Sequence, residues 1–209
     1  MRLILASTSP RRQELLRLLG VSFEVVAPSF VERISPGHAA EEQVKEFALG
    51  KARSYVEAPP NTLVLGSDTL IGLGAEVLGK PADLAEAAAM LRKLAGRTHT
   101  VYTAVSLVCR EPAICDVEVS TVRVTMKAFR ESEAAAYVET GDCLGKAGAY
   151  SIQGLGRSLI EKIDGDYTAA VGLPLRLVAA MLERRGVICP VDVDRLYRDR
   201  PYPNWSAFS

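Results

Sequence analysis

Leu3-Ile4-Leu5-Ala6-Ser7-Thr8-Ser9-Pro10-Arg11-Arg12-Gln13-Glu14-Leu15-Leu16 is the stretch from which the fold can be read. Four apolar residues make a short buried strand, and the polar run after them starts a helix, with Ser9 at the N-cap and Pro10 at the first helical position. That helix carries Leu15, Leu16 and Leu19 inward and stops at Gly20. A strand, a tight loop and a helix in direct succession form the opening unit of an α/β fold. The loop also has chemical content. Open N–H groups at a helix start, the hydroxyls of Ser7 and Ser9 and the guanidinium forks of Arg11 and Arg12 make an anion site; a capped helix with two solvated arginines is the plainer alternative.

Working outward, a second strand over Phe23 to Ala27 leads through Glu32 to Pro36-Gly37, and a helix covers about Ala40 to Val56, ending before Pro59-Pro60. The apolar strand Thr62 to Leu65 runs into Gly66-Ser67-Asp68-Thr69, and Leu70 to Leu73 with Glu76 to Leu78 reads as a hairpin. Asp83 and Glu86 form a capping box for a helix whose stripe is Leu84, Ala87, Ala88, Leu91 and Leu94. Two long strands follow, Thr98 to Val108 and Cys115 to Met126, joined at Glu111-Pro112. In the second, valines at 117 and 119 change phase to 122 and 124, which predicts a bulge near Ser120-Thr121. Helix Glu133 to Thr140, strand Ser158 to Ile163 and helix Pro174 to Arg185 complete the body. The pattern predicts an α/β fold, a mixed twisted sheet with flanking helices. It forms one domain over residues 1–186, which can divide into two lobes, followed by an irregular tail over 187–209.

Lys and Arg number 25 and so do Asp and Glu, so nothing draws the whole molecule to nucleic acid or an anionic membrane, and any bound anion must be gripped locally. The longest apolar runs fall short of the ~20 residues of a membrane span. Met1 to Leu5 runs straight into a motif rather than a signal peptide, and a cytoplasmic enzyme or binding protein is expected. Cys109, Cys115, Cys143 and Cys189 lack C-x-x-C spacing, and with only His38 and His99 beside them no zinc set forms; reduced thiols are expected.

Four further places carry chemistry. Lys51 falls at the centre of the apolar face that Val44, Phe47, Ala48 and Tyr55 define, where an ammonium must snorkel out or meet an anion. Asp68, at the end of an apolar strand beside Gly66, can bind a metal, act as a base or cap a turn; Glu32 by itself reads as solvated surface. Gly74 to Lys80 matches G-x-x-x-x-G-K, but Pro81 replaces the Mg²⁺-binding hydroxyl and the segment between reads as strand, so this is no P-loop; Lys80 can still reach a phosphate as a point charge. Four glycines from Gly145 to Gly156 let backbone approach a flat ligand, with Gln153 offering one donor and one acceptor to a base edge; a mobile structural loop is the alternative. Val171-Gly172-Leu173-Pro174 reads as another helix start, whose N-terminus could face the first.

Taken together, Ala6-Ser7-Thr8-Ser9-Pro10-Arg11-Arg12, Lys51-Ala52, Gly66-Ser67-Asp68-Thr69, Gly79-Lys80-Pro81, Gly96-Arg97-Thr98-His99, Lys146-Ala147-Gly148-Ala149-Tyr150, Gln153-Gly154 and Val171-Gly172-Leu173-Pro174 closely resemble the Maf family of nucleoside triphosphate pyrophosphatases, in order and spacing from Leu3 to about Arg185. The resemblance implies a mixed α/β fold with a central cleft, related to the ITP pyrophosphatases. It also implies hydrolysis of a nucleoside triphosphate to monophosphate and pyrophosphate with a divalent metal, Mg²⁺ or Mn²⁺, in the cytoplasm, often as a homodimer. Arg11-Arg12, Thr69 and the Gln153 loop resemble the branch acting on dTTP and UTP rather than that acting on 7-methyl-GTP. By this resemblance Arg11, Thr69 and Gln153 are specificity positions and Asp68 the proton acceptor. Ser7, Ser9, Arg11, Arg12, Lys51 and Lys80 are expected to hold phosphates, and Glu32 and Asp68 the metal. The family often has an acidic pair where this chain has Val31-Glu32, which leaves Glu32 to serve alone. A nucleotide-sensing protein linked to septum formation, which binds without turnover, is the rival from another class.

Overall fold

The structure is a computed structural model that describes residues 1–55 and 58–208; Val56, where the second helix was expected to end, lies outside the described residues. Strand β1 (Arg2–Ala6) lies parallel to β2 (Glu24–Val26) on one side and to β3 (Thr62–Leu73) on the other. Beyond β3 the sheet turns antiparallel, through β5 (Thr98–Cys109), β6 (Ile114–Met126) and β7 (Ile160–Asp164), while β4 (Glu76–Leu78) folds back on β3. This is the mixed sheet expected from the pattern.

Alternation along the strands sorts residues to two unlike faces. Ile4, Ala6, Val64, Leu70 and Ala104 face helix α2 (Ala40–Arg53), which supplies Val44, Phe47, Ala48 and Ala52. Leu3, Leu5, Leu63, Leu65, Ile71, Val105 and Leu107 point to the larger core on the opposite side. There they meet α1 (Pro10–Arg17), α3 (Leu84–Leu94), α4 (Glu131–Glu139) and α6 (Leu175–Glu183).

Three expectations need correction. First, Gly66-Ser67-Asp68-Thr69 is not the end of a strand: β3 runs unbroken through it, because Gly66 to Gly72 pair residue by residue with Ser106 to Thr100 of β5. Second, no bulge interrupts β6 at Ser120-Thr121; the β5–β6 register is continuous from Thr98↔Thr125 to Cys109↔Ile114. The valines change phase because the covering layer changes: Val119 packs under α2, whereas Val122 and Val124 belong to the opposite core. The observed irregularity is at Thr125/Met126, opposite β7. Third, the tail is not irregular. It holds α7 (Val193–Asp199), capped by the Asp192 carboxylate accepting from the Arg195 N–H, and buries Leu196, Tyr202 and Trp205. A short helix, α5 (Tyr167–Val171), also forms where only a turn was expected. The four cysteines are unpaired, as expected.

Candidate active site

A gap in the sheet creates the site. Along one edge of β3, β1 pairs only as far as Gly66 and β4 begins only at Ile71, so Ser67 to Leu70 have a strand on one side and open space on the other. The loop leaving β1 turns into α1 at this gap. A cavity of about 510 Å³ opens there, and all ten predicted site residues line it. Ser7, Ser9, Arg11 and Arg12 come from the β1–α1 corner, Asp68 and Thr69 from β3, Glu32 from the β2–α2 connection, Lys51 from α2, Lys80 from after β4, and Gln153 from the glycine-rich loop.

At the α1 corner Ser9 occupies the N-cap position, but its hydroxyl makes no capping bond; its N–H instead donates to Ser7 Oγ at 3.2 Å. Arg12 is buried and held at two of its nitrogens. Its Nε donates to the Gly172 carbonyl at 2.9 Å and its Nη2 to Thr69 Oγ1 at 3.0 Å, with Asp68 Oδ1 3.8 Å away. Burial lowers the Arg12 pKa, opposed by Asp68. Gly172 is the C-cap of α5, so the element meeting Arg12 is the negative end of a helix. The expected second helix start stands, with α6 following Pro174 at Leu175, but its first N–H groups donate to Thr168 Oγ1 and the Tyr197 hydroxyl. Arg11 has no ion pair among the described residues, which leaves its fork open to an incoming anion; burial lowers its pKa.

Charges alternate across the cavity. Lys51 Nζ lies 2.5 Å from Asp68 Oδ1 and 2.6 Å from Glu32 Oε1, and Lys80 Nζ lies 2.9 Å from Glu32 Oε2. Lys51 is 5% exposed and Asp68 1%, so the ammonium does not snorkel: it meets carboxylates. Glu32, expected to be solvated when read alone, is instead bound by two lysines. Burial works against its charged form, and the neighbouring ammoniums overcome this to hold its carboxyl at about 2. For Lys51 burial is the larger effect and lowers its pKa, opposed chiefly by Asp68. The close approach of α2 that puts Lys51 here depends on Gly66, where a Cβ would lie 2.2 Å from the Ala48 carbonyl oxygen. Asp68 Oδ2 is buried and has no hydrogen-bond partner. Such an orphaned acceptor is costly unless a proton donor or cation arrives to meet it. A divalent ion fits this donor set, since Mg²⁺ commonly takes one or two carboxylates and completes its shell with phosphate oxygens and water.

In the glycine-rich loop only Gly145, which lines the cavity and has nothing near a would-be Cβ, lies open to a flat ligand. Gly148 packs on Ile71, and Gly154 and Gly156 close on Asp142 and Ser151, so they allow the loop to fold on itself. Sequence reasoning missed Thr103, cross-strand partner of Thr69, whose hydroxyl ties Thr69 to the Ala169 carbonyl. It also quoted Tyr150 and His99 only within motifs. The two bond to each other at 2.8 Å, with Tyr150 lining the cavity and His99 Nδ1 buried without a partner. The clue was available, because a histidine on a strand of alternating apolar residues points into the core.

A family model described as Maf-like protein matches residues 2–185. The chain belongs to the Maf family. Among curated relatives, a dTTP/UTP pyrophosphatase of Gloeobacter violaceus is 45% identical over 87% of this chain and 94% of its own length. One of Myxococcus xanthus is 45% identical over 90% and 94%, and one of Symbiobacterium thermophilum 46% over 88% and 94%. The mixed sheet and flanking helices are those of a Maf chain, and no helix among the described residues is long and apolar enough to cross a membrane.

Proposed function

We propose that this Maf chain hydrolyses dTTP and UTP to the monophosphate and pyrophosphate. The observation carrying this reading is the convergence of Arg11, Arg12, Lys51 and Lys80 on one cleft around Asp68, whose Oδ2 is buried and unpartnered. The names of its relatives support the choice of substrate. Breaking a phosphoanhydride asks mainly for charge neutralisation and positioning. Ser7, Ser9 and Arg11 hold phosphate oxygens, with Lys51 and Lys80 exchanging part of their carboxylate contact for the substrate. Arg12 contributes charge and keeps Thr69 in place. Asp68 Oδ2 accepts a proton from water as that water attacks the α-phosphorus in line; the α–β bridging bond breaks and pyrophosphate leaves. Glu32 and Asp68 would hold Mg²⁺ or Mn²⁺, which when bound neutralises charge developing on the phosphate oxygens. Thr69 and Gln153 select the pyrimidine.

Product identification tests the reading. With dTTP and Mg²⁺ or Mn²⁺, dTMP and pyrophosphate are expected; dTDP with orthophosphate would contradict it. Faster turnover of 7-methyl-GTP would move the chain to the other branch, and tight binding of dTTP without release of any phosphate would make it a sensor. A cytoplasmic location, a homodimer and the lack of a nucleic-acid partner complete the proposal, and sedimentation of the purified protein tests the dimer.

A further inference from the structure

Residues 186–209 lie outside the span matched by the family model, yet the segment following α7 runs back to the cleft. Trp205 is buried and stacks on Tyr167 of α5, with ring centroids 5.7 Å apart and planes 14° from parallel, and the Tyr167 hydroxyl donates to the Pro203 carbonyl at 2.5 Å. The Tyr202 hydroxyl donates to Glu14 Oε2 of α1 at 2.8 Å. Between these two anchors stands Asn204, in the left-handed region at φ 62°, which asparagine tolerates better than most residues. Its Nδ2 donates to two successive carbonyls of the base-facing loop, Gln153 at 2.8 Å and Ile152 at 3.2 Å. One amide thus grips the two peptide units that flank the Gln153 Cα, fixing the backbone from which the Gln153 side chain departs. Because the same segment is tied to α1 and α5, it also holds this loop in register with the corner that carries Arg11 and Arg12.

We propose that Asn204 of the C-terminal segment is a positioning residue that orients Gln153 and so sharpens the choice of base. This rests on the reading of Gln153 as the residue that recognises the pyrimidine. A side-chain amide discriminates only when held in one orientation, since one free to turn can offer a donor or an acceptor to either base. The test compares dTTP with dCTP, which replaces the C4 carbonyl by an amino group, using Asn204→Gly and Asn204→Asp. Glycine removes the side-chain amide without straining the positive φ. Aspartate keeps the shape but sets acceptors against two carbonyls.

In Gln153→Ala, the ratio of kcat/KM for dTTP to that for dCTP should fall about tenfold or more. In both Asn204 variants it should fall roughly three- to tenfold, mostly through KM for dTTP, with kcat changed less than about twofold. Adding Asn204→Gly to Gln153→Ala should leave the ratio where Gln153→Ala put it, a non-additivity that general loosening of the fold would not produce. If Gln153→Ala lowers the ratio and the Asn204 variants do not, or if the Asn204 effect persists undiminished without Gln153, the proposal is overturned. If Gln153→Ala leaves the ratio unchanged, the reading of Gln153 falls and the proposal falls with it.

Discussion

Asp68 is the residue at which structure and chemistry are most tightly joined. One oxygen is held by Lys51 at 2.5 Å and the other has no partner, in a place only 1% exposed. A buried ion pair is weak evidence for stability, because desolvation offsets much of the Coulomb attraction, so its retention points to use. Asp68→Asn keeps the shape and removes the base; turnover of dTTP should fall about 10²- to 10⁴-fold with KM changed little. Glu32 remains to hold the metal in this variant, so concerted loss of nucleotide and metal binding in isothermal titration would make metal ligation, rather than proton transfer, the role of Asp68. His99 gives a second residue-scale prediction. Burial lowers its pKa from 6.5 to about 4, so between those values the unfolded chain binds a proton that the folded one refuses. Stability should therefore drop as pH falls from about 6.5 towards 4, and at pH 5 the shift corresponds to about 2 kcal/mol. In His99→Gln that part of the acid sensitivity should vanish in denaturant titrations at pH 7.5 and 5; an unchanged difference would place the origin elsewhere.

Among elements, the pairing of α2 with β3 decides whether a site exists at all. Their contact at Gly66 is so close that a Cβ meets backbone atoms of Ala48 and Ala52 at 2.2 and 2.8 Å, besides Ser106 Oγ at 2.8 Å, and the backbone atoms cannot swing aside. Gly66→Ala should therefore lift α2 and cost about 1–3 kcal/mol, a fall of several degrees in melting temperature. It should also weaken turnover, since Lys51 moves with the helix while Asp68 stays on the strand. Wild-type activity in Gly66→Ala would show that the Lys51–Asp68 contact is not needed. Periodicity located both elements in the sequence. The unbroken course of β3 was not legible there, because Ser67-Asp68-Thr69 looks like a polar interruption until the ladder to β5 is known.

Taken whole, the molecule docks its C-terminal segment on residues that lie from 36 to 188 positions earlier in the chain. Trp205 is 5% exposed and packs on both Tyr167 and Tyr197. Trp205→Ala should cost about 3–5 kcal/mol and lower the melting temperature by roughly 10 °C. Ile188→Ala, at a side chain 84% exposed in the same segment, should leave it unchanged. Equal melting curves for the two variants would mean that the segment is not docked in solution. Composition and the three prolines argue for an irregular tail; its order comes in large part from Tyr167, an aromatic partner more than 30 residues away that no local window contains.

Read without coordinates, the chain specified its strand–helix alternation, its mixed sheet and a set of basic, acidic and amide residues in motifs close to those of one family. These depend on periodicity, caps and residue chemistry, all written within a few neighbouring positions. Which ammonium meets which carboxylate, which arginine is consumed by Gly172 and which stays open, where the sheet leaves its gap, and what the tail holds were decided by register and layer packing. Those contacts join residues from 17 to 188 positions apart, and only the three-dimensional arrangement brings such partners within hydrogen-bonding distance.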